Sequence, residues 1–155
     1  MIQKDTFTAA STALCPALYR IAQSILHEPH DAQDAVQQAL LKAWERRADV
    51  DEKRFKAYLT RIVINECHNV QRLRQRVTPT DTLPESAFMP PDTGLKEAVD
   101  ALPEALRTPL LLHYMEGYSQ REIADALALH MPQIKSRLFR ARKALKARLT
   151  EVTDR

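Results

Sequence analysis

The segment from His130 to Leu149 carries seven Lys or Arg side chains and no Asp or Glu. At about 100° of rotation per residue, a helix would separate these cations from a continuous apolar stripe. The stripe consists of Ile134, Leu138, Ala141, Leu145 and Leu149. The opposite face includes Phe139, and a purely solvated face has no use for a phenyl ring. Basic side chains neutralise phosphates and an aromatic ring can contact a thymine methyl group, so the segment indicates a nucleic-acid contact.

A short capped helix precedes this basic helix. Ser119 and Glu122 have the spacing of a capping box, in which the hydroxyl and the carboxylate each accept a free backbone N–H of the first turn. The three residues 128–130 are enough only for a turn, and Pro132 suits the first turn of the next helix. Two helices joined in this way, with the second one basic, are typical of a helix-turn-helix that places its second helix in the DNA major groove. The alternative is an ordinary helical hairpin with a solvated charged face.

Length and composition limit the class of protein. A chain of 155 residues with 45% hydrophobic residues suffices for one ordinary domain or two small helical ones. The two glycines argue against a sheet-rich fold. No apolar run approaches the ~20 residues of a membrane span, and the N-terminus lacks the apolar core of a signal peptide. We therefore expect a cytoplasmic protein without membrane insertion, in which Cys15 and Cys67 are reduced thiols.

Apolar residues at helical spacing predict three helices in the first half of the chain. The first runs from Thr6 to His27, and Pro16 either kinks it or divides it. The second runs from Asp31, which we expect to be its N-cap, to Arg46. The third runs from about Glu52 to Arg76 and ends in strongly basic turns. Three helices of this size can enclose a small core.

Residues 78–93 differ in character from the helices on either side. They contain four of the nine prolines among Thr, Ser and Asp, which predicts a linker in partly extended conformation. Phe88 and Met89 are unusual in a spacer; they either dock on a domain or a partner, or are incidental.

After the linker, a short helix begins at Gly94, and a second is expected over 103–115. Pro109 should bend or restart that second helix, and Tyr114 should face inward with its leucines. The sequence thus predicts an all-α fold of two small helical domains, 1–77 and 94–155, joined by a Pro-rich linker.

The second domain resembles a known family. Its residues from Leu102 to Leu145 read LPEALRTPLLLHYMEGYSQREIADALALHMPQIKSRLFRARKAL. The pattern LPxxxRxxLLLxxxEGxSxxEIAxxLGxxxGTVKSRLxRARxxL is usual for region 4 of bacterial extracytoplasmic-function sigma factors, the domain that reads the −35 promoter element. The match is dense along the whole stretch.

The first domain resembles region 2 of the same family. LYRIAQSILHEPHDAQDAVQQALLKAWERR followed by FKAYLTRIVINECHNVQRLRQR is similar to the family patterns DAEDAVQExFLRxW and FxxWLxRIAxNxxxDxxR. Two matches in the expected order support each other. The resemblance implies a three- or four-helix bundle that binds core RNA polymerase and the −10 element.

The resemblance assigns DNA contacts by position. The residues it places at the −35 element, as base or phosphate contacts, are Lys135, Ser136, Arg137, Phe139, Arg140, Arg142, Lys143, Ser119 and Gln120. Those it places at the melted −10 element are Arg61, Asn65, Asn69, Arg72, Arg74 and Arg76. Tyr58 stands where the family often has Trp, and we expect it in the core rather than as a platform for a base.

The resemblance also implies protein partners. The polar side of the second helix would dock on the clamp coiled-coil of the polymerase β′ subunit, through Asp34, Gln37, Gln38 and Lys42. Region 4 would meet the β flap, and an anti-sigma factor is an expected regulator. No cofactor, metal site or enzymatic activity is expected, because the five histidines are scattered and no phosphate loop or nucleophile arrangement is present.

The turn of the helix-turn-helix departs from the family pattern. Ala128 replaces the usual glycine, and Pro132-Gln133 replaces Gly-Thr. Alanine fits that turn only if its φ stays negative or some strain is accepted, and Met131 is a poor N-cap. Two other functions remain open: a stand-alone helix-turn-helix regulator, and a sigma-like decoy that only sequesters an anti-sigma factor.

Overall fold

The computed structural model describes residues 2–77 and 94–153. Its first part is an N-terminal bundle of three helices: α1 (Lys4–Leu26), α2 (Pro29–Glu45) and α3 (Phe55–Val77). Short 3₁₀ turns at Arg47–Asp49 and Glu52–Arg54 connect α2 to α3. The predicted linker 78–93, with Phe88 and Met89, lies outside the described residues.

The N-cap of α2 corrects the sequence-based expectation. Both carboxylate oxygens of Glu28 accept backbone N–H groups, from His30 at 3.1 Å and Asp31 at 2.7 Å. Pro29 occupies the first turn, where its missing N–H costs nothing. Asp31 therefore lies inside the first turn and does not cap it. Its carboxylate instead binds Arg74 of α3.

The C-terminal bundle contains four helices: α4 (Gly94–Asp100), α5 (Glu104–Tyr114), α6 (Gln120–Leu127) and α7 (Met131–Thr153). Pro16 and Pro109 each lie within one continuous helix, α1 and α5 respectively, so neither divides its helix. Arg107, 7% exposed, donates to the Leu102 carbonyl at 2.8 Å and ties the α4–α5 connection to α5. The described residues contain helices and no strand, which agrees with the predicted all-α class.

The helix-turn-helix forms through caps that the sequence partly anticipated. The capping box is confirmed: Ser119 Oγ accepts from Glu122 N at 3.1 Å, and Glu122 accepts from Ser119 N at 2.9 Å. Ala128 adopts a left-handed conformation, with φ 56° and ψ 45°. The next N–H, of Leu129, bonds the Ala124 carbonyl and closes the helix end. The chain accepts the strain of a non-glycine residue at this turn.

The start of α7 shows how the unusual Pro-Gln pair works. Met131 is the first residue of the helix, and Pro132 lies in its first turn. The Gln133 side chain accepts the N–H of His130 at 2.8 Å, which is the half of a capping box that a glutamine can supply. The helix therefore begins without a serine or threonine cap.

The two bundles pack against each other in a shared core. One buried cluster contains residues of both bundles: Leu59 and Val63 of α3 with Leu112 of α5, Tyr118 of the α5–α6 turn and Ile123 of α6. A second, smaller cluster around Leu102, Leu110 and Ala141 lies within the C-terminal bundle. The sequence predicted the helices of each bundle and did not predict this contact between the bundles.

Replacement of Ala128 by glycine should stabilise the protein by about 1 kcal/mol, because glycine adopts a left-handed conformation without the steric penalty of a Cβ. Chemical denaturation of Ala128→Gly and wild type would measure the difference. Ala9 is an exposed residue inside α1 and provides the matched control. Ala9→Gly should destabilise by a similar amount. Equal destabilisation by both replacements would contradict the strained turn.

Candidate nucleic-acid and polymerase interfaces

The outer face of α7 has the arrangement predicted for a recognition helix. Ile134, Leu138 and Ala141 are fully buried, whereas Phe139 is 60% exposed. The cations and the serine assigned to this surface are exposed as well, except Arg137, which is half-buried on its flank: Lys135, Ser136, Arg140, Arg142 and Lys143. A phenyl ring among cations can contact a thymine methyl group while the cations bind the neighbouring phosphates. The face therefore suits a nucleic acid.

Tyr114 extends this surface and corrects the expectation that it points inward. It is 56% exposed, and its hydroxyl accepts a hydrogen bond from Arg142 at 2.9 Å. His113 packs edge-on against its ring, with centroids 4.8 Å apart. The sequence missed this residue because leucine spacing along α5 placed Tyr114 on the apolar side. The aromatic and basic character of α7 thus continues onto α5.

The start of α6 offers less to a phosphate than the sequence suggested. The N–H of Ser119 is already bound by the Glu122 carboxylate, and its hydroxyl is used as the cap. Gln120 follows as the first residue of the helix, at its positive end. Of the pair, Gln120 is the better placed to donate a backbone N–H.

Arg61 and Asn65 lie one turn apart on an exposed stripe of α3. They line a cleft of about 390 Å³ between the two bundles, together with His68 of the same helix. Glu104, Leu127 and Arg137 form part of its other wall. The structure therefore brings two of the predicted −10 residues together, on a surface that also faces the C-terminal bundle.

The remaining −10 candidates separate into two groups. Arg72 and Arg76 are exposed, and Arg72 donates to the amide oxygen of Asn69 one turn earlier. Arg74 points to the opposite side of α3, where it binds the Asp31 carboxylate and, at 3.0 Å, the Leu26 carbonyl. That pairing holds the end of α3 to α1 and α2. The phosphate contact assigned to Arg74 stays a prediction.

The four polar candidates on α2, Asp34, Gln37, Gln38 and Lys42, are all exposed on one face. Lys42 forms an ion pair with Glu66 of α3. Leu41 lies on the same face and is 57% exposed, although the sequence analysis did not select it. Helical spacing could have placed Leu41 on this face, because it follows Gln38 by three residues and Gln37 by four. An apolar side chain centred among polar ones is typical of a protein-binding surface.

Trp44 and Tyr58 pack against the core of the N-terminal bundle. Trp44 packs edge-on against Phe7 at a centroid distance of 5.1 Å, and the Arg47 guanidinium lies 3.8 Å above its ring. Tyr58 is half-buried against the same cluster, as expected for a core residue. Cys67 is fully buried, and burial raises the pKa of its thiol to about 12. A thiol in that state is a poor nucleophile.

Comparison with known proteins shows the family to which the chain belongs. Residues 12–77 match the family model described as Sigma-70 region 2, and residues 93–145 match Sigma-70, region 4. The RNA polymerase sigma-E factor of Streptomyces coelicolor is 33% identical over 86% of this chain and 80% of its own length. The ECF RNA polymerase sigma factor SigM of Bacillus subtilis is 27% identical over 84% of this chain and 86% of its own length.

A solved structure with the same architecture is that of the sigma factor RpoE in complex with the anti-sigma factor NepR from Bartonella quintana. It is 28% identical and superposes with a TM-score of 0.77 over 96% of this chain and 98% of that one. Within residues 2–77 and 94–153, no helix is both long and apolar enough to cross a membrane.

His68 and Glu104 form a titratable contact across the cleft, with Nε2 and Oε2 at 2.5 Å. The hydrogen bond to Glu104 raises the pKa of His68, against the effects of burial and of the neighbouring Arg72. The hydrogen bond from His68 lowers the pKa of Glu104, and Gln71 and Arg107 act in the same direction. The His68–Glu104 ion pair is therefore fully charged at pH values above 4.5, the ordinary pKa of Glu104, and below 6.5, the ordinary pKa of His68. It is lost as the pH rises through the raised pKa of His68.

Glu104→Gln should lower the pKa of His68, because the largest cause of its upward shift is removed. Titration of the imidazole signals by NMR would measure the change, and His68→Gln would assign the resonance among the five histidines. His130, on the exposed turn before α7, serves as the reference signal. An unchanged His68 pKa in the Glu104 variant would contradict the contact.

Proposed function

The chain belongs to the extracytoplasmic-function sigma factors of the sigma-70 family, which direct transcription initiation, and we propose how its surfaces divide that task. The observation that supports the proposal is the segregation of exposed side chains. The α7 face is aromatic and basic, the α3 stripe carries an amide and arginines, and the α2 face is polar around one leucine. Each surface suits a different ligand.

The α7 face reads the −35 element as duplex. Lys135, Ser136 and Phe139 approach the base edges in the major groove, where Phe139 contacts a thymine methyl. Arg140, Arg142 and Lys143 bind phosphates, supported by Arg137 and by the N–H of Gln120 at the start of α6. Tyr114 holds Arg142 in place through the hydroxyl contact at 2.9 Å.

The α3 stripe captures the −10 element after melting. Asn65 has an amide that pairs with the edge of an unstacked base, and Arg61 and Arg72 bind the phosphates beside it. Asn69 orients Arg72 through the hydrogen bond between them. Preference for single strand over duplex shifts the melting equilibrium toward the open bubble, because the ligand-binding form is favoured. No bond is made or broken by the protein in this process.

The α2 face binds core polymerase. Asp34, Gln37, Gln38 and Lys42 supply polar contacts to the clamp coiled-coil of the β′ subunit, and Leu41 supplies the apolar centre. Region 4 binds the β flap, and the protein acts in the cytoplasm, where polymerase is.

RpoE is bound to an anti-sigma factor, and this chain, which shares its architecture, is regulated by a protein of the same class.

Run-off transcription with purified core polymerase tests the function directly. With the chain present, transcription should start at a fixed position in the DNA upstream of the gene that encodes it. Binding to core without initiation would favour a sigma-like decoy. Binding to DNA without affinity for core would favour a stand-alone regulator.

Leu41→Ala should weaken binding to core polymerase about tenfold, because a buried leucine side chain contributes roughly 1–2 kcal/mol. Leu73 of α3 is the matched control, since it is 59% exposed against 57% for Leu41. Leu73→Ala should leave core affinity unchanged. Fluorescence anisotropy of labelled chain titrated with core would measure both, and equal losses would contradict the assignment of α2.

Phe139→Ala and Lys135→Ala should each weaken binding to the −35 element by about 1–2 kcal/mol and leave the affinity for core polymerase unchanged. Lys4→Ala removes one positive charge at an exposed position of α1 and is the control for the loss of charge.

Asn65→Ala should slow bubble formation on a duplex promoter and have a smaller effect on a pre-melted one. Identical behaviour of Asn65→Ala on both templates would show that its assigned role is wrong.

A further inference from the structure

The cleft of about 390 Å³ between the two bundles, called the interbundle cleft below, has walls that direct contacts hold together. Arg20 of α1 binds both carboxylate oxygens of Glu116, at 2.8 and 2.6 Å. The hydroxyls of Tyr118, on the α5–α6 turn, and Thr60 of α3 are 2.8 Å apart, and both residues are buried. The interbundle cleft is therefore a preformed cavity, and its size is that of a small-molecule site.

Two arginines on opposite walls of the interbundle cleft have no anionic partner among the described residues. Arg61 of α3 is exposed, and its guanidinium makes no hydrogen bond within the same part of the chain. The half-buried Arg137 of α7 donates one long hydrogen bond, of 3.4 Å, to the Ala105 carbonyl. That carbonyl lacks its usual helical donor because Pro109, four residues later, has no N–H. Two cations that share a cleft repel each other, and an anion between them would offset the repulsion.

The start of α5 adds to the positive potential of the interbundle cleft. Glu104 and Ala105 are the first two residues of that helix and line the cleft, so the positive end of the helix dipole lies there. The Glu104 carboxylate is already bound, by His68 at one oxygen and by Gln71 at the other, at 3.2 Å. A helix N-terminus beside two guanidinium groups that lack anions is an arrangement that favours a phosphate.

Most of the remaining lining is apolar. It consists of Ile64, Pro109, Ala126, Leu127 and Leu129. The last turn of α6 is part of this wall, and the partial negative charge of a helix C-terminus favours an apolar or aromatic group there over an anion. The Asn65 side chain, one turn after Arg61, has no hydrogen-bond partner among the described residues and can bind a polar group of a ligand. The cleft thus combines an anion-binding part with an apolar part.

We propose that the interbundle cleft binds a small organic monophosphate, with its phosphate between Arg61 and Arg137 and its apolar body against Leu127 and Leu129. A phosphate is favoured over a carboxylate, because a phosphate has three terminal oxygens for two guanidinium groups, whereas one guanidinium can already occupy both oxygens of a carboxylate. The ligand contacts both bundles, so its binding stabilises the contact between them. The site does not depend on the DNA contacts proposed above, and its failure would leave the proposed function in place.

Titration of the full chain with phenyl phosphate near neutral pH, followed by two-dimensional NMR of the amide groups, tests the site. The side-chain amide of Asn65 and the backbone amides of Leu127 and Leu129 should shift together and saturate, with a Kd on the order of 1 mM. Inorganic phosphate lacks the apolar body and benzoate lacks the phosphate, so each should bind at least about tenfold more weakly. The absence of a saturable shift with phenyl phosphate would overturn the proposal. Equal binding of inorganic phosphate or of benzoate would also overturn it, since it would show an adventitious ion only.

Single replacements distinguish the site from a general attraction between charges. Arg61→Gln and Arg137→Gln should each weaken the binding of phenyl phosphate about tenfold, because each removes a charge-assisted contact. Arg76→Gln on α3 and Arg140→Gln on α7 remove the same charge at exposed positions outside the cleft and should leave the Kd unchanged. Equal losses in the cleft variants and their controls would contradict a specific site.

A larger side chain in the cleft provides a test without a change of charge. Ala105 is exposed and lines the cleft, so Ala105→Phe should fill part of the cavity and abolish the saturable shift. Ala9→Phe adds the same ring at an exposed position of α1 and should bind phenyl phosphate as the wild type does. Unchanged binding by Ala105→Phe, or an equal loss in Ala9→Phe, would overturn the inference.

Discussion

The contact of Tyr118 with α3 determines how the surfaces of the molecule are related. Tyr118 follows a glycine in left-handed conformation, and its N–H bonds the Leu112 carbonyl at 2.9 Å. That geometry aims the ring out of the C-terminal bundle and into the N-terminal one, where Thr60 meets its hydroxyl. Because the residue is buried, separation of the bundles would expose both the ring and the polar pair. The position of α6 on α3 follows from this contact.

Much of each bundle could be predicted from local pattern. The helix-turn-helix was recognisable because the Ser119–Glu122 box and the α7 stripe depend only on residues within a few turns. The Glu28 cap was missed because Asp31 is the commoner residue type for that role, whereas a preceding Glu-Pro pair brings the longer carboxylate into reach. Tyr114 was misplaced because apolar spacing does not separate a core ring from one that a neighbouring arginine holds outside.

The packing of the bundles against each other could not be predicted in the same way. Thr60 and Tyr118 are 58 positions apart, and Arg20 and Glu116 are 96 apart. No periodicity relates such residues, and a proline-rich segment between two helical units suggests independence. Nothing in the local sequence of α1, α3 or the α5–α6 turn pairs these side chains. Only their arrangement in space shows that the cations lie on one bundle and the carboxylates on the other.

The ion pairs and the apolar contacts contribute unequally to the interface between the bundles. Arg20 and Lys56 are 56% and 36% exposed at the side chain, so water and salt screen their attraction to glutamate. The apolar part around Tyr118 and Ile123 therefore contributes most of the stability of the contact.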